Sequence, residues 1–166
     1  MLVVTACGSA ATAPEAQDRP APEAQNRPAP RPAPSVPPRP TTYEQTGLRV
    51  APVTVGDTTI KAEVADTPQT RSDGLRGRDG VPPGTGMVFR FDEEGRQRFT
   101  MSGVTYPLVA VFARQGTVVA VEQMVPCTGS IAECPTYGPD GVVDTVLEAA
   151  PESLPDAAPG DVFVDN

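Results

Sequence analysis

Arg76 and Arg78 flank Gly77 directly after a short predicted helix, and both guanidinium groups are placed to reach one anionic group. The competing use of either arginine is an ion pair with Asp73 or Asp79 that pins the loop. Tyr137 and Glu148 are the other candidates for lining a binding pocket. Cys127 and Cys134 lie in one loop between Pro126 and Pro135. A bridge across so short a loop contributes roughly 2–2.5 kcal/mol in the chain-entropy reading, and a disulfide is the expected pairing. The chain has no His. That excludes an imidazole base and any zinc site that needs an imidazole ligand, and two sulfurs alone do not complete a tetrahedron. No metal, cofactor or catalytic residue is assigned. Lys61 alternates with apolar neighbours and reads as a solvated strand residue, and Ser102 has no signature of an activated nucleophile. Asp144 and Glu148 are the carboxylates that a glycosidase-type reaction would have to use. Met87 and Met101 read as core.

The first residues carry a different kind of chemistry. Leu2-Val3-Val4-Thr5-Ala6-Cys7-Gly8-Ser9 places an apolar run and small side chains before a cysteine, and small polar residues after it. This order resembles a bacterial lipobox, in which the peptide is cut before the cysteine and the cysteine is acylated. Each buried methylene of an acyl chain contributes about 0.8 kcal/mol, so two or three chains anchor firmly. A signal of this type has a basic start and an apolar stretch of roughly 7–15 residues. Neither fits in the residues before Cys7, so the expectation is that residues 1–7 are the remnant of a signal that begins upstream.

Residues 8–46 read as a tether. Ten of the 21 prolines fall between Ala13 and Pro40. The octet Ala13–Pro20 repeats as Ala21–Pro28 with Asp18 replaced by Asn26. Proline removes backbone donors and biases its neighbours to polyproline II. With little apolar surface to bury, the segment cannot offset the entropy of ordering. This tether has four acidic and four basic residues, so the net charge of −8 belongs to residues 47–166. From Gln115 to Asn166 there are nine acidic residues and no basic one. A nucleic-acid footprint needs the opposite sign, so nucleic acid is not an expected partner.

Residues 47–166 read as a single, mainly β domain. Val53–Val55, Gly56-Asp57 and Thr58–Ala65 form a predicted hairpin. Asp66-Thr67-Pro68 starts a helix, with a capping oxygen and then a proline, and Gly74 and Gly77 end it. Further strands are expected at Gly86–Phe91, Arg96–Met101, Leu108–Ala113, Thr117–Met124, Val142–Ala149 and Asp161–Val164. Asp92–Gly95 and Arg114–Gly116 are expected as turns. This pattern predicts a compact β-barrel or jelly-roll-like sandwich with one short helix.

Several motifs in register resemble the bacterial and archaeal domain of unknown function family 192. Ala65-Asp66-Thr67-Pro68 through Gly74-Leu75-Arg76-Gly77-Arg78 is similar to the family's A-x-T followed by G-L-M-G-R. Gly86–Phe91 is similar to G-M-L-F-x-F, and Val146-Leu147-Glu148 to V-L-E. Phe99–Val104 stands where the family has F-W-M-K-N-T, and Tyr106–Phe112 where it has I-P-L-D-I-A-F. The resemblance implies a compact β domain, often exported, and implies no established reaction. At the family's Trp, Lys, Asn and Asp positions this chain has Thr100, Ser102, Gly103 and Val109.

The expected whole is a monomeric, extracytoplasmic lipoprotein anchored through acylated Cys7 to a bacterial membrane. Its β domain is expected to be non-catalytic, either binding an envelope glycan, a small ligand or a protein, or purely structural. The alternative is a carboxylate-dependent enzyme acting on cell-wall glycan.

Overall fold

The computed structural model describes residues 47–166. The lipobox with Cys7 and the proline-rich tether lie outside them. The amino-terminal hairpin forms as the sequence predicts, with β1 (Val50–Val55) paired antiparallel to β2 (Thr58–Ala65). Gly56 turns it at φ 55°, in the left-handed region where glycine is at ease. Helix α1 (Pro68–Asp73) follows. Thr67 caps it in a reciprocal capping box with Thr70, and the Gly74 amide closes its end on the Thr70 carbonyl.

The chain then returns as β3 (Thr85–Gly95), which runs parallel to β2. The β2–α1–β3 crossover is a connection that the hairpin reading did not foresee. Asp92–Gly95, expected as a turn, continues β3 across a register shift against the strand beside it. The expected strand at Arg96–Met101 shrinks to β4 (Phe99–Thr100), which pairs with β7 (Thr136–Tyr137). β5 (Leu108–Arg114) and β6 (Thr117–Met124) form a hairpin, turned by Gln115 at φ 49° and Gly116 at φ 76°. Two positive-φ residues give a primed turn, which matches the twist of the flanking strands. β8 (Val143–Ala149) and β9 (Phe163–Asp165) complete the strands of the described residues.

Seven strands make one sheet in the order β6-β5-β8-β3-β2-β1-β9. The sheet curls until Thr117, at the start of β6, bridges Val162 just before β9. The fold is therefore mainly β, a single curled half-barrel with one short helix. The concave face is apolar and draws on all seven strands, including Val53, Ile60, Val88, Val111, Val118, Leu147 and Phe163. A row of small residues crosses it in register: Ala51, Ala62, Gly86 and Ala149. Small side chains there leave the space that tight curling needs. The convex face of β3, β5 and β8 is buried as well. Met87, Phe89, Ala110, Phe112 and Val146 pack there against Leu75, Met101 and Val104. These central strands therefore read as continuous apolar runs rather than alternating ones.

Gly86 is the tightest point of the row. A Cβ at this position would stand 2.4 Å from the Glu148 carbonyl oxygen and 3.3 Å from both Ala149 Cβ and Ile60 Cγ2. Backbone cannot yield as a flexible side chain does, so Gly86→Ala forces β3 away from β8. The expected loss of stability is about 2 kcal/mol or more, read as a lower urea midpoint. An unchanged midpoint would show that the sheet curls without this close approach.

Candidate functional site

The convex face carries a polar row. Val50, Glu63, Met87, Glu148, Ala110 and Glu122 are neighbours in register across β1, β2, β3, β8, β5 and β6. Three carboxyl groups thus alternate with apolar residues on one face. Glu63 is fully buried, and Glu148 is 6% exposed. Glu122 is half-buried and accepts the Gly138 amide on both carboxylate oxygens at 3.1 Å.

Glu63 is met by Arg78 in a buried ion pair. Of the two uses expected for Arg76 and Arg78, the loop-pinning ion pair forms at Arg78, with Glu63 in place of Asp73 or Asp79. Its partner is on β2, fifteen residues back in the chain, and only the crossover brings the two together. The loop from α1 is pinned at further points. The Tyr106 hydroxyl donates to the Leu75 carbonyl at 3.0 Å. The Gly77 amide donates to the Gly103 carbonyl at 3.3 Å. Burial pushes the Tyr106 hydroxyl up to about 12, against the opposing charge of Arg78, so it serves as a donor and not as a base.

Arg76 lies between these fixed neighbours. Its stem runs past Gly103, where a Cβ would lie 3.9 Å from both Arg76 Cγ and Cδ. Arg76 and Glu148 line the same cavity, of about 350 Å³. Helix α1 supplies Arg71 and Asp73 to its wall, β3 supplies Phe89 and Phe91, and the chain around β4 supplies Gln97, Arg98, Phe99, Thr100 and Met101. Phe99 stands edge-on to Phe89 and Phe112, with ring centroids 5.0 and 5.8 Å apart. Arg71 is fixed over Phe91 at 5.1 Å and donates to the Asp66 and Arg90 carbonyls at 2.8 and 2.7 Å. Arg98 binds the Gly138 carbonyl, the Pro139 carbonyl at 2.8 Å and Asp140 at 3.2 Å.

The disulfide forms as expected between Cys127 and Cys134. It braces the far wall of the cavity. The Cys127 amide donates to the Val104 carbonyl, and the Gly103 amide to the Cys127 carbonyl, both at 3.1 Å. Ser102 donates to the Gly129 carbonyl at 2.9 Å. The bridged loop thereby holds the turn that Arg76 lies against.

The other sequence candidates are placed elsewhere. Tyr137 does not line the cavity; it packs against the convex cluster, and its hydroxyl accepts the Val125 amide at 3.2 Å. Lys61 is exposed, and Met87 and Met101 are buried. Asp144 accepts the Gln115 amide at 2.7 Å, at the β5–β6 turn. It is four residues from Glu148 on one strand, roughly 13 Å along the chain. Glycosidase carboxyls stand about 5–9.5 Å apart, so these two do not make such a pair. Thr100 lines the cavity, but Val109 faces the concave core. The residues at the family's Trp, Lys, Asn and Asp positions therefore do not form one cluster here. Sequence reasoning missed Arg71 and Arg98 as wall residues. A basic residue in the last turn of α1 was the available signal for the first.

Burial pushes the Glu148 carboxyl up to about 8, with the nearby Arg76 charge opposing only part of the rise. At neutral pH it is a neutral acid, able to donate as well as accept. The consequence for stability has a definite sign. Between about 4.5 and about 8 the unfolded chain has released this proton and the folded chain has kept it. Stability therefore falls as pH rises through that window, and it levels off above the window, by roughly 1.4 kcal/mol per pH unit at most. Glu148→Gln should flatten this part of the profile, seen as a urea midpoint less dependent on pH between 5 and 8 than in the parent. Parallel profiles for the two proteins would contradict the assignment.

Among curated proteins none matches the chain. Its fold recurs in solved structures. One is a protein of unknown function from Novosphingobium aromaticivorans, similar over 74% of this chain and 89% of its own, with a TM-score of 0.64 and 24% identity. Another, described as a "putative transcription regulator" from Sinorhizobium meliloti, is similar over 71% of this chain and 95% of its own, with a TM-score of 0.63 and 24% identity. At that identity the likeness is one of fold alone. The family model for DUF192, "Uncharacterized ACR", matches residues 51–161, as the motifs around Arg78, Gly86 and Glu148 imply, and the chain belongs to that family.

Proposed function

We propose that this protein is a non-catalytic, small-ligand-binding module that works outside the cytosol on a lipid tether. The observation that carries the binding part is the meeting of Arg76 and Glu148 in one aromatic-walled cavity of about 350 Å³. That volume is at the low end of the range for ligand pockets, roughly 300–1,000 Å³. It favours a ligand enclosed as one ring or a short chain over a long glycan strand.

The tether rests on the lipobox-like order around Cys7 and on the proline-rich run that follows. The Cys127–Cys134 bridge supports an oxidising compartment, because cytosolic thiols are kept reduced. The regulator description belongs to the Sinorhizobium protein. A net charge of −8 opposes a phosphate backbone and gives no support to that role here.

Each half has its own test. Cells expressing the full chain from its native start should incorporate an alkynyl palmitate into it, and Cys7→Ser should abolish the label. An unlabelled protein recovered from the cytosol would refute the tether. For the cavity, a fragment set of small acids, alcohols, amines and sugars is screened by amide chemical shifts. Thr100→Trp plugs the pocket with the residue that the family motif has there. Hits that move Leu75–Gly77 and are lost in the plugged variant support the module. If every hit survives plugging, the cavity is not a binding site.

A further inference from the structure

We infer that the cavity takes a small carboxylate with an apolar, ring-sized body. The inference rests on the binding-module reading and narrows its ligand class. The chain is acidic overall, yet three arginines, Arg71, Arg76 and Arg98, line this one cavity, against Asp73 and the buried Glu148 as its acidic residues. The bonds of Arg71 run to the neutral carbonyls of Asp66 and Arg90, which fix its position without cancelling its charge. The Asp140 partner of Arg98 is fully exposed, where water and salt screen the pair. The cavity wall is thus a local positive field in a negative molecule, and a field of that kind selects anions.

The rest of the wall defines the body of the ligand. Phe89, Phe91 and Phe99 offer ring faces and edges, so a flat or compact apolar group is desolvated there. Glu148 decides between anions. Burial keeps it protonated to about 8, so it presents an O–H beside Arg76 instead of a second negative charge. A carboxylate accepts from that O–H and from the guanidinium fork together, and it does so in a plane. A phosphate dianion brings a second charge and a further oxygen into an aromatic-walled site, and each oxygen left without a donor there costs free energy.

The test is a charge series on one ring. Benzoate, benzyl alcohol and benzylamine are titrated near neutral pH into the isotope-labelled full chain, with the amides of Leu75–Gly77 and Phe99–Met101 as the readout. Benzoate should bind at least about tenfold more tightly than benzyl alcohol, and benzylamine should bind most weakly. Arg76→Gln should remove most of the benzoate advantage over benzyl alcohol. Benzyl alcohol or benzylamine binding as tightly as benzoate at the same amides would overturn the carboxylate assignment while the cavity reading stands. If none of the three moves those amides, the ring-sized carboxylate is wrong, and the fragment screen decides separately whether the cavity binds anything. If Arg76→Gln has no effect on benzoate, that also overturns the assignment.

Discussion

The two-sided burial of the central strands governs this structure. A curled sheet normally wets its convex face, and polar residues there cost nothing. Here the α1 crossover and the chain around β4 cover β2, β3, β8 and β5 from outside. Glu63 and Glu148 are therefore held in a protein interior. A buried carboxylate must find a counter-charge or keep its proton. The two residues take opposite courses. Glu63 receives Arg78. Glu148 stays neutral, because Arg76 beside it offsets only part of the cost of burial.

The ion pair and the cavity depend on each other through the cap. Arg78 ties the loop after α1 to β2, and Tyr106 and Gly103 tie the same loop to the turn before β5. Between these ties Arg76 has little freedom. The turn is in its turn stitched to the bridged loop at Cys127. The disulfide thus lies against the convex-face cluster, with Cys134 buried and Cys127 packed on it.

Local chemistry was legible in the sequence. The β1–β2 hairpin, the Thr67-Pro68 helix start, the Gly74 stop and the β5–β6 hairpin all follow from residues within a few positions of each other. The Cys127–Cys134 pairing was legible from spacing and an even count once Cys7 is set apart. What the sequence hid is non-local. The parallel pairing of β2 with β3 depends on where a crossover lies. The β4–β7 pair joins strands of two residues each, too short to show any period. Asp92–Gly95 reads as a turn by composition, and its place beside β8 overrides that preference. Arg78 had two acidic neighbours in sequence and chose a third in space. Arg76 and Glu148 were named separately from the motifs, and only register and the pinned loop show that they share a cavity.

The covered convex face and the cavity meet in the state of one proton. Carbon-detected NMR of the Glu148 side-chain carboxyl, followed against pH in the folded full chain, reads that proton without recourse to stability or ligand. A midpoint near 8, with the carboxyl still protonated at pH 7, is the predicted result. A midpoint at or below 4.5 would show an ionised, solvated carboxylate. The covered convex face and the neutral donor beside Arg76 would then both be wrong.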